Sequence, residues 1–211
     1  MELNLKDKVV VITGGAAGIG KATAIEFAKE GSIIAVCDIK QDILKTFLQE
    51  MEDMGFVTYG ETIDITDKEA VEGFADRVVE HFGSIDIWVN NAGVQCKKFF
   101  DEYLDEDWDF VFNVNLKAAF NCSQIAAKRM KKQNSGVIVN MSSYTYIMPH
   151  TGASLYAMTK AALANFTQTS AAELAPYNIR VVGIAPGMVK TQLAAESIKQ
   201  NEKNSRFKAT S

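Results

Sequence analysis

The 211-residue sequence predicts an α/β chain in which a doubly wound parallel sheet lies between two layers of helices. Three observations predict it. Short runs rich in Val and Ile alternate with longer amphipathic segments, the mark of repeated βαβ units. The first, fourth, fifth and sixth runs are apolar almost without a break, as strands covered on both faces require. A glycine-rich turn joins the first run to the first helical segment.

In order, "KVVVIT" is the first strand and "GKATAIEFAKE" carries apolar residues at helical spacing behind the glycine turn. "SIIAVCD" is the second strand, "QDILKTFLQEMEDM" a helix, and "FVTYGETID" the third strand. "DKEAVEGFADRVVEHF" is a helix with Asp67 as its N-cap, and "IDIWVNN" is the fourth strand. One long helix is expected from Asp105, read as an N-cap, to Lys132. "GVIVNMS", a helix over Ser154 to Ala175 and the strand "IRVVGIAP" complete the pattern. Gly31, Gly55 and Gly83 stand where helix C-caps belong. The three prolines all follow residue 148, and no repeat or linker interrupts the pattern before the last twenty residues, so residues 1–191 read as one domain and 192–211 as a polar segment.

A net charge of −4 leaves no electrostatic footprint for nucleic acid. The start of the chain is polar, without a signal-peptide pattern, and no apolar run approaches the roughly 20 residues needed to span a bilayer. Three widely spaced cysteines and two histidines offer no metal-binding spacing. A cytoplasmic chain with no metal is the expectation.

"VVVITGGAAGIGKATAIEF" puts Gly14, Gly18 and Gly20 between a buried strand and a helix. Glycine there permits positive φ and lets backbone amides approach an anion, while the new helix offers free N–H groups and its dipole to a pyrophosphate. A tight turn with no ligand is the bland alternative, and the spacing departs from the commoner G-x-G-x-x-G. Asp38 ends the second strand, where a dinucleotide fold presents an acid to the adenosine ribose. It would repel a 2′-phosphate and favour NAD over NADP, with Lys21 and Lys40 near enough in sequence to soften the choice. A helix N-cap role for Asp38 is the weaker alternative, because Asp42 also follows.

"TGGAAGIG" (13–20), "DI" (64–65), "NNAG" (90–93), "VNL" around Asn115, "NMSS" (140–143), "YAMTK" (156–160) and "PGMVKT" (186–191) occur in this order. Together they make the chain, from about Leu5 to Thr191, resemble the short-chain dehydrogenase/reductase family. The resemblance implies a Rossmann-type sheet and a nicotinamide cofactor held at Gly14, Gly18, Ile19, Gly20, Asp38, Asp64, Ile65 and Asn91, with Val189 and Thr191 at the carboxamide. Asn91 has a second reading as a polar turn that pins neighbouring strands.

Tyr156 and Lys160 stand one turn apart on a helix face. A tyrosine titrates near pH ~10, so a nearby cation is needed to stabilise its phenolate, and Lys160 is expected to lower it. Such a phenol could move the proton that accompanies hydride transfer between an alcohol and a ketone. The resemblance implies Ser143, rather than its neighbour Ser142, as the residue holding the reacting oxygen. It implies Asn115, rather than Asn113, in a relay beside the lysine. Tyr144, Tyr146, Ile147, Met148 and His150 are expected to line an apolar wall, with His150 a loop polar group.

The expected function is an NAD-dependent oxidoreductase interconverting a small secondary alcohol and a ketone; the alternative is a non-enzymatic NAD(H)-binding sensor or interaction protein on the same fold. Relatives pair through the helices at 105–132 and 154–175, so a homodimer or homotetramer is expected. Family members usually run on past the clamp with a lid and a seventh strand. Here 192–211 reads as the start of that lid, and the sixth strand as an apolar edge left for further chain or a partner to cover.

Overall fold

The computed structural model describes residues 3–189, together with 191 and 195. Six strands form: β1 (Val9–Thr13), β2 (Ile33–Asp38), β3 (Thr58–Thr62), β4 (Ile87–Asn90), β5 (Gly136–Met141) and β6 (Ile179–Ile184). All pair in parallel in the order β3-β2-β1-β4-β5-β6. The order reverses between β1 and β4, which opens a crevice beyond their C-terminal ends.

Successive residues of β1 serve opposite faces. Val9 and Val11 join one core with Phe74 and Val78 of α3 (Lys68–Phe82) and Cys122 and Ile125 of α5 (Ala118–Gln133). Val10 and Ile12 join a second core with Ala24 and Ala28 of α1 (Gly18–Lys29) and Leu44, Phe47 and Met51 of α2 (Gln41–Asp53). The unbroken apolar run is thus two interleaved faces, each covered by helices.

Asp67 caps α3 as expected, its carboxylate accepting from Ala70 N at 3.0 Å. Gly31, Gly55 and Gly83 all hold positive φ behind their helices. Asp105 is not an N-cap: α4 (Asp105–Phe112) starts behind Leu104, and Asp107, one turn in, accepts from Leu104 N at 2.9 Å. Nor is 105–132 one regular helix. A π-helical segment, Asn113–Lys117, joins α4 to α5, and the wider turn carries Asn115 into the interior.

The sixth strand is not covered on both faces. Ile179 and Val181 enter the first core, whereas Val182 and Ile184 are 39% and 49% exposed. β6 pairs with β5 alone among the described residues, which makes it an edge strand. The 192–211 segment, expected as a lid, lies outside the described residues apart from Ala195, whose N–H reaches Thr191 O at 3.0 Å. Among the described residues no helix is long and apolar enough to cross a membrane, and no cluster of metal-ligating side chains occurs.

Candidate active site

The crevice begins at the glycine turn. Gly14 has φ +60°, and a Cβ there would lie 2.9 Å from Ala92 Cα. At Gly20 a Cβ would lie 2.4 Å from Gly14 O and 2.5 Å from Asn91 Nδ2, so close packing alone demands glycine. Gly18 differs: φ is +55°, but a Cβ would meet only Thr191, at 3.5 Å. α1 opens behind Ala17 with no side-chain cap and no acid in its first turn, so its leading N–H groups suit an anion.

Asp38 holds this turn from β2. Its Oδ2 accepts from Ala16 N at 3.2 Å and its Oδ1 from Lys40 N at 3.1 Å. The N-cap reading therefore does not apply, since α2 starts behind Lys40. Lys21 is engaged by Glu50 of α2. Asn91 donates to Thr13 O at 3.0 Å and Gly14 O at 2.9 Å, tying the end of β4 to the turn. Asp64 is exposed and accepts from Thr66 N and Oγ1, with Ile65 buried beside it. It borders a cavity of about 370 Å³ that Val114 and Lys117 also line.

Across the crevice, β5 ends at Met141 and α6 (Ser154–Leu174) returns beneath it. Ser142 and Ser143 divide their work. Ser142 Oγ donates to Lys160 O at 2.8 Å, a structural tie. Ser143 Oγ accepts from Thr145 N at 3.3 Å and Thr145 Oγ1 at 3.0 Å, two bonds that leave its own proton uncommitted. Lys160, only 4% exposed, donates from Nζ to Met141 O at 2.7 Å and lies 5.4 Å from the centre of the Tyr156 ring. Asn115, 1% exposed, accepts from Val94 N and donates to Val94 O, both at 2.8 Å, whereas Asn113 faces solvent.

The electrostatics depart from expectation. Burial raises the Tyr156 pKa; the Ser143 hydrogen bond opposes it, and Lys160 is not among the causes. Lys160 is itself depressed to about 8 by burial. With its ammonium turned to a backbone carbonyl and no ion pair to it among the described residues, the lysine spends its charge on its own desolvation. The phenol is therefore kept in its protonated, acid form.

Some contributors carry no sequence signal. Thr159 is fully buried; its hydroxyl donates to Tyr156 O at 2.7 Å and meets Asn115 Nδ2 at 3.3 Å, so it holds both residues together. A Cβ at Gly93 would lie 3.2 Å from Asn115 Oδ1 and 3.7 Å from Lys160 Nζ, a close approach to which only the "NNAG" match pointed. Tyr146, Ile147, Met148, Met188 and Val189 are exposed, and His150 Nδ1 pairs locally with Thr151 O. Thr191 faces Gly18, while Lys190 lies outside the described residues.

A doubly wound sheet with an uncapped glycine-rich helix start at its switch point defines a nucleotide-binding α/β protein. The family profile of the short chain dehydrogenases matches residues 8–202, and the chain belongs to that oxidoreductase family. It is 40% identical over 191 residues to a 3-oxoacyl-[acyl-carrier-protein] reductase of Thermotoga maritima, covering 90% of this chain and 78% of the relative. It is 35% identical over 197 residues to a 3alpha-hydroxysteroid dehydrogenase of Mediterraneibacter gnavus, covering 92% and 79%. Its fold matches the crystal structure of an NAD+-bound xylitol dehydrogenase with a TM-score of 0.91 and 33% identity, over 96% of this chain and 79% of that one.

Proposed function

We propose that the chain is an NAD-dependent dehydrogenase/reductase that interconverts a secondary alcohol and a ketone. One observation carries this reading: Ser143, Lys160 and Asn115 are all buried near Tyr156, with Lys160 Nζ 5.4 Å from the centre of the Tyr156 ring and bonded to the end of β5 at Met141 O. The nicotinamide would supply the hydride acceptor or donor. Gly14, Gly18, Ile19 and Gly20 would cradle its pyrophosphate, Asp38 the adenosine ribose, Asp64 and Ile65 the adenine. Asn91 and Lys160 would meet the nicotinamide ribose, and Val189 and Thr191 the carboxamide.

In reduction Tyr156 gives its proton to the carbonyl oxygen while Ser143 orients that oxygen. In oxidation Tyr156 takes the hydroxyl proton. The raised pKa favours the donor role in the empty site, so oxidation should quicken as pH rises. Asn115 and Lys160 would return the proton through the interior. Asp38 at the end of β2, with Lys21 drawn off by Glu50, supports NAD over NADP.

The named relatives suggest a panel: a 3-oxoacyl thioester, a 3α-hydroxysteroid, xylitol and a simple secondary alcohol, followed by NADH absorbance. Turnover on at least one is expected, with Tyr156→Phe lowering kcat about 10²–10⁴-fold. Full activity in Tyr156→Phe would end this mechanism. Self-association is proposed through the outer face of α4, α5 and α6, where Trp108, Phe112, Phe120 and Phe166 line an apolar groove of about 680 Å³. Phe166→Asp should shift the chain to a monomer in sedimentation.

A further inference from the structure

Two loops rise from neighbouring strands beside the candidate reacting side chains. The 91–104 connection leaves β4, and the 142–153 loop leaves β5 and leads into α6. The first is fixed at its near end by Asn115, which exchanges two bonds with Val94, and a Cβ at Gly93 would lie 3.7 Å from Lys160 Nζ. The second carries Ser143 near one end and reaches Tyr156 four residues beyond Gly152. With Tyr156 as the acid/base, these loops bound the space through which a substrate approaches it.

Each loop is braced within itself. Asp107 of α4 accepts from Lys98 Nζ at 2.5 Å, Leu104 N at 2.9 Å and Cys96 Sγ at 3.2 Å, which draws the far end of the first loop onto the helix. In the second, Ile147 N and Met148 N both donate to Tyr144 O at 3.0 Å, and Ala153 N donates to His150 O at 3.2 Å. Such local bonds fix the shape of each loop. They leave the distance between the loops open.

Tyr103 spans that distance. Its hydroxyl donates to Cys96 O at 3.2 Å, inside its own loop, and to Gly152 O at 3.0 Å, in the other. A phenol has one proton, so the two carbonyls share it and are held to a single point. Gly152 is buried with φ +74°, a conformation that glycine adopts without strain, and the turn it makes offers its carbonyl to Tyr103. Burial keeps Tyr103 in the protonated form that a donor needs. A rigid ring on two side-chain torsions holds the span at little entropic cost.

We propose that Tyr103 is a positioning residue: its hydroxyl ties the 91–104 connection to the turn before α6 and so limits the bulk of the substrate that reaches Tyr156. The proposal rests on the dehydrogenase/reductase reading of the site. It gives the first loop a part in substrate selection without any contact between Tyr103 and the reacting atoms.

The test compares the parent with Tyr103→Phe, which keeps the ring and removes only the hydroxyl. Each alcohol the parent oxidises is paired with one that has the same reacting group and a different bulk behind it, cyclohexanol and a 3α-hydroxysteroid being the first pair. Without the tie the loops can part, so kcat/KM for the bulkier alcohol relative to the compact one should rise about fivefold, the factor that one net hydrogen bond carries. The change should lie in KM more than in kcat, with NADH affinity by fluorescence within about twofold of the parent. Hydrogen exchange should quicken in 94–103 and in 147–153 together. A ratio unchanged within about twofold would overturn the limit on bulk. So would an equal loss on both alcohols with a lower melting temperature, the mark of a merely structural role. Exchange that quickens in one segment alone, or in neither, would overturn the tie. A parent inactive on every alcohol and ketone offered ends the dehydrogenase/reductase reading and the limit on bulk with it, whereas the exchange result judges the tie by itself.

Discussion

Replacing Lys160 with Met should make the protein more stable near neutral pH and much less active. Burial lowers the lysine from 10.5 to about 8. At about 1.4 kcal/mol per pKa unit, keeping the ammonium in the folded interior costs about 3 kcal/mol below pH 8. Between about pH 8 and 10.5 the unfolded chain binds the proton that the folded chain has released, so the parent gains stability as pH rises through that window. Lys160→Met has no such titration. Its advantage is therefore largest near pH 7 and should shrink by about 2–3 kcal/mol by about pH 10. Loss of the bond to Met141 O offsets the absolute difference by about 1–2 kcal/mol, and it is the change with pH that isolates the buried charge. Urea unfolding of both proteins at several pH values measures this. A stability difference that is flat with pH would refute the claim that the charge is held at a cost. Turnover should fall in the same variant, a local exchange of stability for function.

The glycines of the first turn should separate by role. Gly20→Ala, with a Cβ 2.4 Å from Gly14 O, should destabilise the fold by about 3 kcal/mol or more in a thermal melt. Gly18→Ala has room for its Cβ and should cost about 1–2 kcal/mol for its positive φ, with NADH affinity reduced in fluorescence titration. Asn90→Ala would strand Trp88 Nε1, Ser123 and Asn140 in the interior and should cost about 2–4 kcal/mol in urea unfolding. Asp38→Asn keeps an oxygen for Ala16 N but removes the charge. It should move the NADP to NAD ratio of kcat/KM about tenfold toward NADP, for a repulsion of about 1–2 kcal/mol at a partly screened site.

Much of the fold was legible because burial and chain period coincide. β1, β4 and β5 are covered on both faces, so their sequences are apolar almost without a break, and the glycines behind α1, α2 and α3 mark helix ends by their positive φ. Asp105 misled because an acid just before a periodic run fits either the cap or the first turn, and here Asp107 reaches back to Leu104 instead. The π segment at Asn113–Lys117 was not legible at all: one extra residue in a turn leaves the polar and apolar pattern nearly intact. The sixth strand lies at an edge among the described residues, as expected, but the exposure of Val182 and Ile184 was not legible, because its composition is that of the covered strands and cover depends on what packs over it.

What the sequence determined by itself is the inventory: a parallel sheet from alternating runs, a glycine turn between β1 and α1, and a tyrosine and lysine one turn apart on α6. Those are local facts, set by residue type and spacing. Only the tertiary structure decided the state of that pair. Lys160 turns to Met141 O, and burial holds Tyr156 protonated. Desolvation depends on what is packed around a residue, and no spacing along α6 records that.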